Sequence, residues 1–159
     1  KEAEQLRSGA GPVRPTEAKA PKGMLDDVPG TSVDIRHGMV TIGIDDSVTF
    51  DSGSDKLKES SHKVIKRVAD ELKRKYANCR IYVVGHTDTD KIERTKDKYK
   101  DNMDLSLKRA YSVRDYLTSS CGIAESQIVV VGYGQYDPKD RGNKAKNRRV
   151  EIAVGDEKM

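Results

Sequence analysis

Residues 81–117 constrain the fold of this chain more than any other stretch. Ile81-Tyr82-Val83-Val84 is a short apolar run of the kind that forms a buried strand. Gly85 is expected to end it. His86, Thr87 and Asp88 then fall just past its carboxyl end, where open α/β sheets place ligands. After a charged connector comes a helix. Asn102 is the expected N-cap, its side-chain oxygen accepting from the free N–H groups of the first turn. Met103, Leu107, Ala110, Val113 and Leu117 recur at helical spacing and predict one apolar stripe. Arg109 is expected off that stripe, one turn after Leu105. If the connector folds back, Asp88 and Arg109 flank a pocket beside a helix N-terminus. A fixed carboxylate, a fixed guanidinium and free amides suit a zwitterion, with its ammonium on Asp88 and its carboxylate on Arg109.

The rest of the chain supplies a scaffold for that stretch. Residues 1–7 read as the tail of a charged helix, and residues 1–30 as a whole form a Pro- and Gly-rich linker. The domain is expected to start near Thr31 and run to residue 155. Val33 to Arg36 and Met39 to Ile44 make a hairpin around His37-Gly38. Val48-Thr49-Phe50 reads as a short extended piece and Asp51 to Ser54 as a turn and helix cap. Leu57, Ser61, Val64, Ile65, Val68, Leu72 and Tyr76 share one helical face, which is core. Residues 89–101 form a charged loop, and Gly122 ends the second helix. Ile128 to Val131 and Val150 to Val154 are the last strands, and residues 156–159 a disordered tail. The order is βαβαβ with an extra strand. It predicts an α/β (α+β sandwich) fold, a mixed sheet with helices on one face.

Composition narrows the function. Of 159 residues, 35% are hydrophobic and 35% charged, which means a small core in a charged shell. The net charge of +4 favours anionic surroundings without choosing among them. One Phe, no Trp and basic residues interleaved with acids argue against nucleic acid as a partner. No run of about 18 apolar residues is present to span a membrane. The chain starts at Lys1 without Met, so it reads as a fragment whose membrane anchor would lie upstream. Cys79 and Cys121 have no metal spacing; they either pair in an oxidising compartment or stay separate thiols. His86 has no second His or Cys at ligand spacing, so no metal is expected and a packing role is. Ser106 lacks a paired His and a strained elbow, and there is no phosphate loop. These observations predict a non-enzyme with no cofactor.

Four motifs in sequence carry a resemblance to a known family. Asn102-x-x-Leu105-Ser106-x-x-Arg109-Ala110-x-x-Val113-x-x-x-Leu117 resembles the signature helix of OmpA-like domains, found in OmpA, Pal lipoproteins and the stator protein MotB. Gly85-His86-Thr87-Asp88, Val131-Gly132-Tyr133-Gly134 and Asn147-Arg148-Arg149-Val150-Glu151-Ile152 match in order. Val48 to Leu57 resembles the family's entry into its first helix. The resemblance implies non-covalent binding of peptidoglycan through meso-diaminopimelate of the stem peptide. It implies that Asp88 holds the diaminopimelate amine and Arg109 its carboxylate. Thr87, Asn102 and Leu105 would line the pocket, and Arg148 would close one side. It also implies a periplasmic envelope protein tethered to the outer or inner membrane by an upstream part. That protein would be either a wall anchor or a MotB-like stator or trans-envelope component, with a homodimer as an option. One departure is the connector, which is longer and more charged than the family's. Lys91, Arg94, Lys96, Lys98 and Lys100 either reach other carboxylates of the wall peptide or form a solvated loop, and sequence alone favours the loop.

Overall fold

A tight hairpin starts the sheet. Strand β1 (Thr31–Arg36) turns through His37 and Gly38 into β2 (Met39–Asp45). Both turn residues have positive φ, 50° and 77°, as a two-residue hairpin loop requires. The computed structural model describes residue 21 and residues 23–158. The expected helix tail at 1–7 and most of the linker lie outside these. One turn of helix, α1 (Asp46–Thr49), follows β2 where an extended piece was expected. Then come α2 (Glu59–Lys75), β3 (Cys79–His86), α3 (Asn102–Ser119), β4 (Ile128–Gly134), the short α4 (Lys144–Asn147) and β5 (Arg149–Lys158).

The five strands form a mixed sheet in the order β1-β2-β5-β3-β4. Strands β3 and β4 are parallel and the other pairs antiparallel. Alternate residues Ile42 and Ile44 of β2, Ile81 and Val83 of β3, and Val150, Ile152 and Val154 of β5 share one core. Ile65, Val68 and Leu72 of α2 and Ala110, Val113 and Leu117 of α3 complete it. The predicted α/β fold, a mixed sheet with its helices on one face, is therefore the fold observed.

Several local expectations are corrected. Gly85 does not end β3; it pairs with Gly132 and Val150 inside the sheet. Its role is space. A Cβ there would lie 1.9 Å from the backbone oxygen of Ser106, so α3 rests directly on the strand. This contact turns α3. Its buried face is Leu105, Ser106, Arg109, Ala110, Val113 and Leu117, whereas Met103 and Leu107 of the predicted stripe are 39% and 44% exposed. Small Ser106 takes the seat that periodicity assigned to larger side chains. Its Oγ donates to the Met103 carbonyl and accepts from Gly134 N–H.

The N-cap of α3 is Asp101, whose carboxylate accepts from Asp104 N–H at 2.9 Å; Asn102 is the first helical residue. Helix α2 starts at Glu59, beyond the 51–54 turn, with Lys58 as N-cap and no side-chain cap. Buried Met24 and Leu25 extend the domain upstream of Thr31. Strand β5 continues to Lys158, which pairs with Cys79, so residues 156–158 prolong the sheet rather than fray. Gly122 has φ 77°, the left-handed residue expected after α3. Cys79 and Cys121 are free thiols. Among the described residues no helix is long and apolar enough to cross a membrane.

Candidate functional site

Strand β3 delivers Thr87 and Asp88 to one end of the sheet. Thr87 N–H donates to the Gly134 carbonyl at 2.8 Å, which continues the parallel pairing for one more residue. Asp88 is thereby fixed and only 6% exposed. One carboxylate oxygen accepts from Asp90 N–H at 2.9 Å and the other from Arg148 at 2.5 Å. Arg148 lies between α4 and β5, and its carbonyl accepts from Asp46 N–H, so this junction is tied to α1.

Helix α3 delivers Arg109, one turn after Leu105. The reading that placed Arg109 off the buried face is corrected: it is 3% exposed. Its Nε donates to the Ser54 carbonyl at 2.7 Å and one Nη to the Asp51 carbonyl at 3.2 Å. The other Nη pairs with the Asp46 carboxylate, and the guanidinium lies 4.8 Å from the centre of the Phe50 ring. Three of its five N–H donors are thus committed and two remain. Asn102 does not cap the helix. Its amide donates to the Asp90 carbonyl at 2.9 Å and ties down the start of the connector.

All six residues singled out from the sequence, Thr87, Asp88, Asn102, Leu105, Arg109 and Arg148, line one open cavity of about 630 Å³. Its walls are α1 with the following turn, the connector around Lys91 to Thr95, and the segment from Asn143 to Arg148. Five carboxylates and six cationic side chains line it, so it is close to charge balance. On its floor two ion pairs, Asp88–Arg148 and Asp46–Arg109, each bring one acid and one base to the cavity. Burial pushes the Asp46 carboxyl up, and Arg109 and Arg148 oppose this. Burial likewise lowers Arg109, opposed chiefly by Asp46, and a guanidinium stays charged throughout. Such a floor suits a ligand that is itself both cation and anion. Its ammonium and carboxylate join existing pairs rather than leave one charge uncompensated.

Asp46 was missed by sequence reasoning. Its only signal is an acid directly after a strand, the placement that drew attention to Asp88. The pinning of the connector was also missed. Tyr99 is buried and its hydroxyl donates to the Asp55 carboxylate at 2.6 Å.

A second polar cluster lies on the sheet face away from the helices. His86 Nε2 is 2.9 Å from Glu151 and its ring stacks on Tyr133. Arg149 and Arg36 reach Glu151 at 2.8 and 3.0 Å, and Arg36 also reaches Asp137 at 3.1 Å. Ligand atoms of His86, Asp137 and Glu151 lie within 4.8 Å of one another. Two guanidiniums already neutralise these carboxylates, so the cluster fits a metal poorly, and His86 hydrogen-bonds and stacks within it. Burial works to raise the Glu151 carboxyl, but the hydrogen bond and charge of His86, followed by those of Arg149, outweigh it and hold the pKa at about 2. Burial lowers His86, against the pull of Glu151.

The OmpA family matches residues 49–151 of this chain. The chain is 38% identical over 111 residues to outer membrane porin F of Pseudomonas aeruginosa, covering 67% of this chain and 30% of the porin. It spans 30%, 48% and 59% of the length of three curated relatives that it matches. Among solved structures, the cell wall anchor of the type VI secretion system (T6SS) from Pseudomonas aeruginosa superposes with a TM-score of 0.70 at 26% identity, over 84% of this chain and 95% of that one. The periplasmic domain of Helicobacter pylori MotB has a TM-score of 0.73 at 23% identity, over 87% and 88% of the two chains, a likeness of fold.

Proposed function

The chain belongs to the OmpA family, and from that membership and the geometry of the cavity we propose that it binds peptidoglycan without catalysis and anchors an envelope protein to the cell wall. The observation that carries the reading is the placement of Asp88 and Arg109 on the floor of one cavity, each already in an ion pair. The ligand is the diaminopimelate residue of the stem peptide. Its side-chain ammonium goes to the Asp88 carboxylate beside Arg148. Its side-chain carboxylate goes to the two free donors of Arg109. Thr87, Asn102 and Leu105 shape the wall between them. No histidine or cysteine lines the cavity among the described residues, so no side chain there pairs a nucleophile with an imidazole base. Weak binding at each site is enough, because many sites on one polymer give avidity.

The likeness to a T6SS cell wall anchor and to an outer membrane porin supports a periplasmic setting, with a tether to one membrane supplied by another part of the protein. The MotB-like fold supports a second reading, in which the same wall contact holds a stator or trans-envelope complex still.

Co-sedimentation with purified sacculi tests the site. Asp88→Ala is expected to abolish binding at unchanged thermal stability to within a few degrees. Its partner Arg148 is 39% exposed and can turn to water, so the lost pair costs about 1 kcal/mol or less. Undiminished sedimentation of Asp88→Ala would defeat the assignment.

A further inference from the structure

The cavity is larger than its floor requires. A single amino acid fills only part of 630 Å³, a volume in the range of pockets that hold drug-sized ligands. What lies above the floor is the connector, and it is held at both ends. At its start, Asn102 holds the Asp90 carbonyl and Lys144 pairs with the Asp90 carboxylate at 2.6 Å. Near its end, Tyr99 is locked to Asp55 through both its hydroxyl proton and its oxygen. Between these ties Thr95 lies against Gly53 across the cavity mouth, where a Cβ on that glycine would be 3.5 Å from the Thr95 hydroxyl. The connector is therefore a fixed bridge over the mouth.

The cations of this bridge that line the cavity are not used to hold it in place. On the floor, each acid has its base. At the mouth, Lys91 and Arg94 of the connector and Lys146 of α4 line the cavity, and none makes an ion pair or side-chain hydrogen bond among the described residues. Lys58 adds a fourth cation, its ammonium on the Ser47 carbonyl. The unpaired acids of the lining are Asp45 and Glu93. The mouth thus carries a positive surplus above a floor in balance. Three long, exposed cationic side chains that line one cavity and have no acid partner among the described residues favour an oxyanion carried by the ligand.

We infer that Lys91, Arg94 and Lys146 form a second subsite that takes a carboxylate on the residue flanking the diamino acid, so that the protein reads an acidic dipeptide unit rather than one zwitterionic residue. This rests on the proposed wall-binding reading and adds to it. The subsite makes binding depend on whether the flanking carboxylate is free or amidated. Its contribution is long-range and partly exposed, so salt weakens it while leaving the floor contacts in place.

Calorimetric titration with two probes tests this. One is N-acetyl-γ-glutamyl-diaminopimelate with the glutamyl α-carboxylate free; the other is the same peptide with that carboxylate amidated. For the unaltered protein, amidation is expected to weaken binding roughly five- to tenfold, as two or three screened charge contacts allow. The triple variant Lys91→Ala/Arg94→Ala/Lys146→Ala is expected to bind the free acid as weakly as the unaltered protein binds the amide, with no further loss on amidation. The difference between probes should close in about 0.5 M salt. Equal binding of both probes by the unaltered protein, with binding lost in Asp88→Ala, would overturn the subsite and leave wall binding intact. Discrimination retained by the triple variant would also overturn it. Binding of neither probe would overturn both.

Discussion

Truncation of Arg109 is expected to loosen the domain as well as the site. The guanidinium is buried and holds together three points of the segment after β2: the Asp46 carboxylate and the Asp51 and Ser54 carbonyls. Arg109→Ala strands Asp46, a carboxylate that burial already disfavours. Breaking a buried pair by removing one partner costs about 3–5 kcal/mol. Asp46 opens onto a cavity that water can enter, and it can take up a proton, so the lower end applies, about 3 kcal/mol. For a domain of this size that lowers the melting temperature by about 10 °C. Urea unfolding of the unaltered protein, Arg109→Ala, Asp46→Asn and the double variant measures it. The two single losses should not add: the double variant should be more stable than their sum by at least about 1 kcal/mol, because Asp46→Asn removes the stranded charge. A loss below about 1 kcal/mol in Arg109→Ala, or strict additivity, would refute the reasoning. Lost wall binding in Arg109→Ala reports on the fold as well as on a ligand contact, so Asp88 is the cleaner probe of the site.

Gly85→Ala should destabilise the domain by about 3 kcal/mol or more, because its Cβ would meet the Ser106 backbone at 1.9 Å and α3 cannot yield without moving Leu105 and Arg109; thermal unfolding at the temperature of the unaltered protein would contradict this. Stability should fall in acid. Glu151 has a folded pKa of about 2 against an ordinary 4.5, so the unfolded state binds its proton first and up to roughly 3 kcal/mol is lost as pH drops from about 4.5 to 2. Burial also lowers His86 from its ordinary 6.5, so the unfolded state takes that proton first and His86 adds to the loss as pH falls below that value. Glu151→Gln should flatten the profile between pH 4.5 and 2, and an unchanged slope would contradict the assignment.

The sequence announces the strands of this fold because they are continuous apolar runs, and it announces Asp88 because a polar cluster directly follows one of them. It hides what depends on contact between distant segments. Gly85 and Gly132 look like strand breakers, yet both lie in paired strands and make room for a helix backbone. A hydrophobic pattern cannot register that approach, so it sent Met103 and Leu107 inward and left Ser106 unremarked. Arg109 looks like surface because arginine usually is, and its partner Asp46 lies 63 positions away, with no spacing to connect them. The cap of α3 was missed by one residue because Asp101 and Asn102 are both capping types, and only the backbone turn decides between them. The six candidate site residues were still brought together, since the motif fixes which residues stand at the strand end and the helix start.

Titration of the domain with a stem peptide containing meso-diaminopimelate, beside the same peptide with lysine in its place, tests the central claim most directly. Lysine keeps the side-chain ammonium for Asp88 and lacks the carboxylate for Arg109. The account predicts binding of the first and at least tenfold weaker binding of the second. Equal binding of the two, or binding of neither, would contradict it.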